Sequence, residues 1–251
     1  MMAPQISVIG LTGIPEVVPG AELPSLIITA IQISGFEIHE RDVFVVAQKV
    51  VSKAEGRVIA LDSVTPSAQA IAWADEHNKD ARVVEVVQRE SRRIVRMQRG
   101  VMICETHHGF VCANAGVDAS NVPPGSVVTL PVDPDASAQS LQTALEKAFG
   151  VHLAVIVSDT FGRPWREGIV NVAIGIAGIA PIIDYRGKTD SFGQLLRVTT
   201  IAVADEIASA AELVMGKSDG IPVAIVRGFP YEARPASIKE LIRAAENDLF
   251  R

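Results

Sequence analysis

Two hydrophobic periods alternate along the chain. Residues 5–10 alternate apolar and polar side chains as a short strand does, and Gly13, Pro15, Pro19 and Gly20 mark 11–20 as a loop. Leu23, Leu26, Ile27, Ala30 and Ile31 share one helical face and predict a helix over 23–34. The apolar run within 42–48 has polar ends, the pattern of a buried strand. Helices are expected over 66–77, with Pro66 near the start, and over 80–97, where Val83, Val84, Val86, Val87, Ile94 and Val95 supply the apolar positions. Residues 101–105 and 110–113 read as a hairpin around Thr106-His-His-Gly109, and 127–132 as a further strand. Asp133-Pro-Asp-Ala-Ser137 reads as a helix start, capped by Asp135 or Ser137, for a helix that runs to Phe149 and stops at Gly150. Then come a strongly apolar strand, 151–158, and a strand of small and β-branched residues with glycine contacts, 168–183. A charged loop at 184–193, a helix at 199–215 with Asp205 and Glu206 near its middle, a strand at 222–227 and a closing helix at 237–249 complete a mixed α/β pattern.

Composition narrows the class. At 251 residues there is room for one large domain or two small ones, and with 48% hydrophobic but only 5% aromatic residues the core must be mostly Val, Ile, Ala and Leu. A net charge of −6 gives no reason to expect nucleic-acid binding. No apolar run reaches the roughly 20 residues of a membrane span. The longest, 168–183, is broken by Asn171, its glycines and Pro181. Residues 1–14 lack a basic start and a long apolar centre, so no signal peptide is expected. Two cysteines suit a reducing cytosol; Cys104 and Cys112 fall on neighbouring strands and are expected as buried thiols rather than a disulfide.

Four polar stretches hold candidate chemistry. Asn114-Ala-Gly-Val-Asp-Ala-Ser-Asn121 lies between strands and has the composition of a rigid loop, which serves either as a tight turn or as a cradle for cation and phosphate. Lys49 and Lys53, with Ser52 beside them, stand at a strand's carboxyl end near a glycine turn, where ammonium groups suit phosphate oxygens; solvated lysines are the plain alternative. Ser158-Asp-Thr-Phe-Gly-Arg-Pro-Trp-Arg-Glu-Gly168 reads as a loop that offers a carboxylate and a hydroxyl to a hard cation, and Arg163 and Arg166 to carboxylate or phosphate. Gly216-Lys217-Ser218 resembles the end of a phosphate loop. The Walker A motif fails, because Ala211 stands where a glycine is required and the strand–helix order is reversed. Arg89, Arg92, Arg93 and Arg96 would share a face of a helix over 80–97, either to hold an anion or to pair with Glu85 and Glu90. His107 and His108 sit at a turn without the i, i+4 spacing of a helical metal site.

Together these pieces resemble the coenzyme F420:L-glutamate ligase family almost end to end. The resemblance rests on Gly13-Ile-Pro-Glu16, Val50-Val-Ser-Lys-Ala-Glu-Gly-Arg57, Ala115-Gly-Val-Asp-Ala-Ser-Asn121 and Pro131-Val-Asp-Pro-Asp-Ala-Ser137. It continues through Ser158-Asp-Thr-Phe-Gly-Arg163, Ala204-Asp-Glu-Ile-Ala208, Val223-Ala-Ile-Val-Arg-Gly-Phe229 and Asn247-Asp-Leu-Phe250. Each motif alone is weak; their order and spacing are specific. Lys217 and the closing motif look more like the bacterial branch, some members of which fuse this module to a nitroreductase-like domain not expected here.

The resemblance implies an α+β fold of two intertwined parts with mixed sheets, a single ligase module over 1–251 with two subdomains, and a cytoplasmic homodimer. It implies a GTP-dependent enzyme that adds glutamate to the phospholactyl arm of coenzyme F420-0, with two Mg2+ or Mn2+ ions and potassium as a helper. Asp118, Asp159 and Thr160 match the metal positions. Ile14, Pro15, Glu16, Val17, Gln48, Lys53 and Asn121 match guanine-nucleotide positions, and Met215, Gly216, Lys217, Ser218, Asp219, Gly220 and Ile221 match a further nucleotide segment. Archaeal members have a longer, acidic form of that segment, so a third carboxylate ligand is not expected here. Lys49, Lys53, Arg163 and Arg166 are the expected charge partners of phosphates and acceptor. A metal-dependent phosphohydrolase and a non-catalytic deazaflavin- or nucleotide-binding module are the rival readings.

Overall fold

The computed structural model describes residues 3–249. The chain opens with β1 (Ser7–Leu11), α1 (Leu23–Ser34), β2 (Val43–Ala47), α2 (Gln48–Ala54) and β3 (Val58–Ala60). It continues through α3 (Ala68–His77), α4 (Ala81–Arg89), β4 (Ser91–Gln98), β5 (Val101–Thr106), β6 (Val111–Ala113) and β7 (Ser126–Val128). The second half holds α5 (Pro134–Phe149), β8 (Ala154–Gly162), β9 (Ile169–Ala177), β10 (Ile183–Asp184), β11 (Thr200–Ile201), α6 (Val203–Met215) and β12 (Val223–Arg227).

A five-stranded sheet of order β1-β12-β2-β8-β9 organises the larger part. Only β2 and β8 are parallel; their neighbours run antiparallel, so the fold is α+β with a mixed sheet. Val43, Phe44, Val45 and Val46 on β2 and residues 154–157 on β8 are fully buried, which is why both read as unbroken apolar runs. Their core is completed by α1, α5 and α6 through Ile27, Ile31, Leu141, Leu145, Ala204 and Ala208. On β9, Gly175 faces the start of α5 so closely that a Cβ would stand 2.3 Å from the Pro134 carbonyl oxygen. A smaller core of Ala70, Ala74, Val84, Val87, Met102, Cys104 and Ala115 joins α3, α4 and the antiparallel sheet β4-β5-β6. The chain enters this second part after β3 and returns through β7, and those two strands pair antiparallel at its base.

Several boundaries differ from the periodicity. The helix over 80–97 is two elements: α4 ends at Arg89, where the Ser91 hydroxyl donates to the Val87 carbonyl at 2.6 Å, and β4 then pairs with β5. The β-branched pair Ile94-Val95 suits that strand, and Ile94 packs on the smaller core. The four arginines therefore share no helix face. Arg89 pairs with Glu85 at 2.9 Å, while Arg92 and Arg93 reach Glu105 on β5. Glu90 instead takes a bidentate pair from Arg57.

Asp133, not Asp135 or Ser137, caps α5, accepting from Ala136 N–H, with Pro134 in its first turn. Helix α3 starts at Ala68 under a Ser67 cap, past Pro66. Asp205 and Glu206 lie in the first turn of α6, because 200–201 pair as β11. The strand expected over 127–132 is only β7. In place of a helix over 237–249 stand two 3-10 turns, Ile238–Leu241 and Ala245–Asn247. Ser237 and Glu240 form a capping box, and the Asp135 carboxylate accepts from the Ser237 hydroxyl, so the segment is pinned to the core from its first residue. Phe250, the last residue of the Asn247 motif, lies outside the described residues.

Candidate functional site

The site forms where the two parallel strands end. Ala47 pairs with Ser158, so α2 begins beside the last third of β8. Lys49 and Lys53 are therefore on a short helix, one turn apart, and not in the loop their neighbouring Gly56 suggested. Asp159 and Thr160 are likewise on β8, which extends to Gly162; the loop is only 163–168. A register shift against β9 follows Val157, and beyond it Thr160 stands opposite Asn171. That pairing lets the Thr160 hydroxyl donate to Asn171 Oδ1 at 2.7 Å.

Asp118 arrives from the other side. The 3-10 turn Asn114–Gly116 holds three successive residues at positive φ, 52° for Asn114 and Ala115 and 74° for Gly116. Gly116 is needed twice over: its φ is left-handed, and a Cβ there would lie 2.8 Å from Leu130 side-chain atoms. The backbone of Asp118 then exchanges both hydrogen bonds with Val128, and its Oδ1 accepts from Ser120 N–H at 2.8 Å. The Lys49 ammonium donates to Asp118 Oδ2 at 2.7 Å and to Ser120 Oγ at 2.6 Å.

The charges define one electrostatic unit. Burial pushes the Asp159 carboxyl up to about 6; the Asp118 charge adds to the rise, while the Thr160 amide, Lys49 and Lys217 oppose it. Burial also works against ionisation at Asp118, but hydrogen bonds from Lys49 and Ser120 outweigh it and leave that carboxyl below its usual range. Burial, with the Asp159 and Cys104 charges added, pushes the Cys112 thiol up to about 12. Cys104 and Cys112 are register partners, and both are buried free thiols.

Other expected residues have different surroundings. Lys53 is buried and donates to Glu16, which is exposed. Gln48 is buried and donates to Ser52 Oγ and the Thr129 carbonyl. Val17 and Met215 are core side chains, and Ile14 packs at the core's edge. Asn121 is exposed with φ 54°. Arg163 donates to the carbonyls of Glu167 and Gly168, tying its own loop, and Arg166 is exposed on that loop. Gly216 ends α6 and precedes no helix, so the phosphate-loop order is absent as expected. Lys217, by contrast, reaches Thr160 Oγ1 at 2.6 Å.

Residue-by-residue reading missed Asn171, Ser120 and Glu212. Asn171 had a signal: it is the polar residue inside an otherwise apolar strand, and it is 5% exposed. A cleft of about 740 Å³ lined by Tyr185, Arg186, Tyr231 and Arg234 and a cavity of about 160 Å³ at His107 and His108 do not include the carboxylate pair. The two histidines bond to backbone carbonyls of Arg89 and Pro131.

Among the described residues, no group of three or more His, Cys, Asp or Glu side chains converges on one point. The donor set is nevertheless suited to a hard divalent ion. It comprises two neighbouring carboxylates, one carrying a raised pKa that a cation would relieve, and a hydroxyl oxygen. The fold and this cluster define an α+β protein with a carboxylate–lysine centre at the carboxyl ends of parallel strands, the position where open α/β sheets hold ligands.

The F420-0:gamma-glutamyl ligase family model matches residues 12–228, and the chain belongs to that family. It is 46% identical over 249 residues to the coenzyme F420:L-glutamate ligase of Methanothermobacter thermautotrophicus, covering 98% of this chain and 99% of that protein. Identity to the enzyme of the same name from Methanopyrus kandleri is 46% over 241 residues, covering 94% of each chain. To that of Methanocaldococcus jannaschii it is 44% over 220 residues, covering 87% and 88%.

Proposed function

We propose that this chain is an acid–amino-acid ligase that uses GTP to join L-glutamate to the phospholactyl-type arm of coenzyme F420-0. Family membership and the named activity of its relatives support the reaction class. The observation that carries the phosphoryl chemistry is the coupled pair Asp118 and Asp159, flanked by Lys49 and Lys217.

Amide formation from a carboxylate is uphill and needs an activated acyl group. An oxygen of the acceptor carboxylate attacks the γ-phosphorus of GTP, the bond from that phosphorus to the bridging oxygen breaks, and GDP leaves with the electron pair. The glutamate amine then attacks the acyl carbon and gives up a proton, and inorganic phosphate departs. The protein's part in such a transfer is positioning and charge neutralisation. Asp118 and Asp159 hold the divalent ion, with the Thr160 oxygen as a neutral third donor. Bound Mg2+ or Mn2+, two ions in this reading with potassium as a helper, supplies charge stabilisation on phosphate oxygens. Lys49 and Lys53 face the nucleotide phosphates, next to Gln48, Glu16 and the segment 215–221. Arg163 and Arg166 clamp the acceptor.

The reading includes a homodimer and a cytoplasmic location. Phe192, Leu195 and Val198, three exposed apolar side chains within seven residues of sequence, support a partner surface. Two free buried thiols support a reducing compartment, and no helix among the described residues is long and apolar enough to cross a membrane.

The test is direct. Purified protein is incubated with GTP, Mn2+, L-glutamate and F420-0, and product masses are read. A glutamyl mass increment that requires GTP is expected. Phosphate release without acceptor or glutamate, and no increment, would replace the ligase by a phosphohydrolase; tight binding without turnover would leave a binding module. Arg166→Ala should raise KM for the acceptor or lower kcat, and no change in either removes Arg166 from the acceptor site.

A further inference from the structure

Lys217 lies outside the carboxylate pair, yet its ammonium is anchored at the centre by three side chains. It donates to Thr160 Oγ1 at 2.6 Å, contacts Asn171 Oδ1 at 3.3 Å and forms an ion pair with Glu212. Those three partners account for its three N–H groups. Gly216, with φ 58° and ψ −163°, provides the backbone turn that brings Lys217 back over β8 and β9.

The Thr160 hydroxyl is equally constrained. Its single proton goes to Asn171 Oδ1, which leaves two lone pairs, and Lys217 occupies one of them. An ammonium at that distance also repels any cation approaching the same oxygen.

We propose that Lys217 competes with a divalent ion for Thr160 and thereby sets the metal affinity of the nucleotide-free protein. The inference rests on the reading of Asp118 and Asp159 as the ion's carboxylate ligands. In the resting protein Lys217 acts as a tethered charge at Thr160. A divalent ion gains that oxygen by displacing the ammonium, or approaches its free lone pair against the ammonium's repulsion.

The experiment titrates the full chain with Mn2+ alone and follows free Mn2+ by its electron paramagnetic resonance signal. Lys217→Met is expected to bind Mn2+ about tenfold more tightly than the unaltered protein, and Lys217→Arg to stay close to it. Adding Thr160→Val to Lys217→Met should erase the gain. Circular dichroism and thermal melts establish that each variant is folded; Lys217 is exposed, so its replacement should leave the melt unchanged. Unchanged or weaker Mn2+ binding in Lys217→Met overturns the proposal. So does a gain that survives Thr160→Val, which would mean that Lys217 acts only through its long-range field. If Asp118→Asn and Asp159→Asn bind Mn2+ as the unaltered protein does, the carboxylate site itself is wrong and the proposal falls with it. If those two lose Mn2+ while Lys217→Met does not gain, only the role of Lys217 falls.

Discussion

The Lys49 ammonium, on the first turn of α2, donates to Oδ2 of Asp118 at 2.7 Å across 69 residues of sequence. This contact joins the helix that follows β2 to the loop that follows β6. It places a positive charge on a carboxylate whose neighbour, Asp159, is already reluctant to ionise. The centre is thus built as two adjacent carboxylates, Asp118 and Asp159, flanked by the ammonium groups of Lys49 and Lys217, over the ends of two parallel strands.

Replacing Asp118 by Asn should separate chemistry from folding. The Asn side-chain oxygen can still accept from the Ser120 amide, and the backbone bridge to Val128 is untouched. A melting temperature within a few degrees of the parent is expected. GTP-dependent glutamylation should fall by roughly a hundredfold or more, the scale of removing a charge that stabilises a transition state. Near-normal turnover in a folded Asp118→Asn protein would exclude this carboxylate from the reaction.

Asp159 makes stability depend on pH in a defined direction. Its carboxyl is raised from 3.8 to about 6, so the folded state binds this proton more tightly than the unfolded chain. By linkage, the metal-free protein loses stability from this group as pH climbs from about 4 to 6, with the full loss present above 6. Asp159→Asn should therefore melt higher than the parent at pH 7.5, by about 1–3 kcal/mol in free energy, and equal to it near pH 4. Mn2+ at pH 7.5 should stabilise the parent and not the variant. A variant that is less stable than the parent at pH 7.5 would contradict the buried, like-charged environment.

Much of this scaffold was legible because periodicity and caps agreed. Helix α1 falls where its apolar spacing places it, and α5 ends at the Gly150 stop. The helix over 80–97 failed because Arg89, Arg92, Arg93 and Arg96 imitate helical spacing, while pairing with β5, invisible in a linear pattern, decides the conformation of the last three. The site was less legible. Composition marked the loops at Asp118 and Asp159 and offered Asp159 and Thr160 to a hard cation, but resemblance alone assigned Asp118 to metal. Asn171 and Glu212 gain meaning only through the Thr160–Asn171 register and the turn at Gly216, both products of tertiary structure.

A buried ion pair remote from the site offers a test of the scaffold. Asp42 is 1% exposed, and Arg227 on β12 donates to both its oxygens at 2.8 and 2.6 Å. Removing one partner leaves a buried charge uncompensated, which costs about 3–5 kcal/mol. Urea unfolding of Arg227→Met should show a loss on that scale. A change below about 1 kcal/mol would mean that water reaches Asp42.

Gly116 links the turn to the chemistry. Alanine there meets two separate costs. Its φ of 74° is unfavourable for any L side chain, by about 1–2 kcal/mol, and its Cβ would sit 2.8 Å from side-chain atoms of the buried Leu130. Relief of that overlap costs about 1–3 kcal/mol more, because Leu130 is buried in the core. Gly116→Ala should therefore destabilise the protein by about 2–5 kcal/mol in urea unfolding. Leu130→Ala alone opens a cavity and costs about 2–5 kcal/mol. The double variant should cost less than the sum, because the second change removes the overlap that the first creates. The part that remains is the backbone strain, which no space at Leu130 relieves. Since the bridge from Asp118 to Val128 follows directly on this turn, Gly116→Ala should also weaken Mn2+ binding more than Leu130→Ala does at equal stability. Equal Mn2+ affinity in the two single variants would mean that Asp118 is held by Lys49 and Ser120 without help from the left-handed turn.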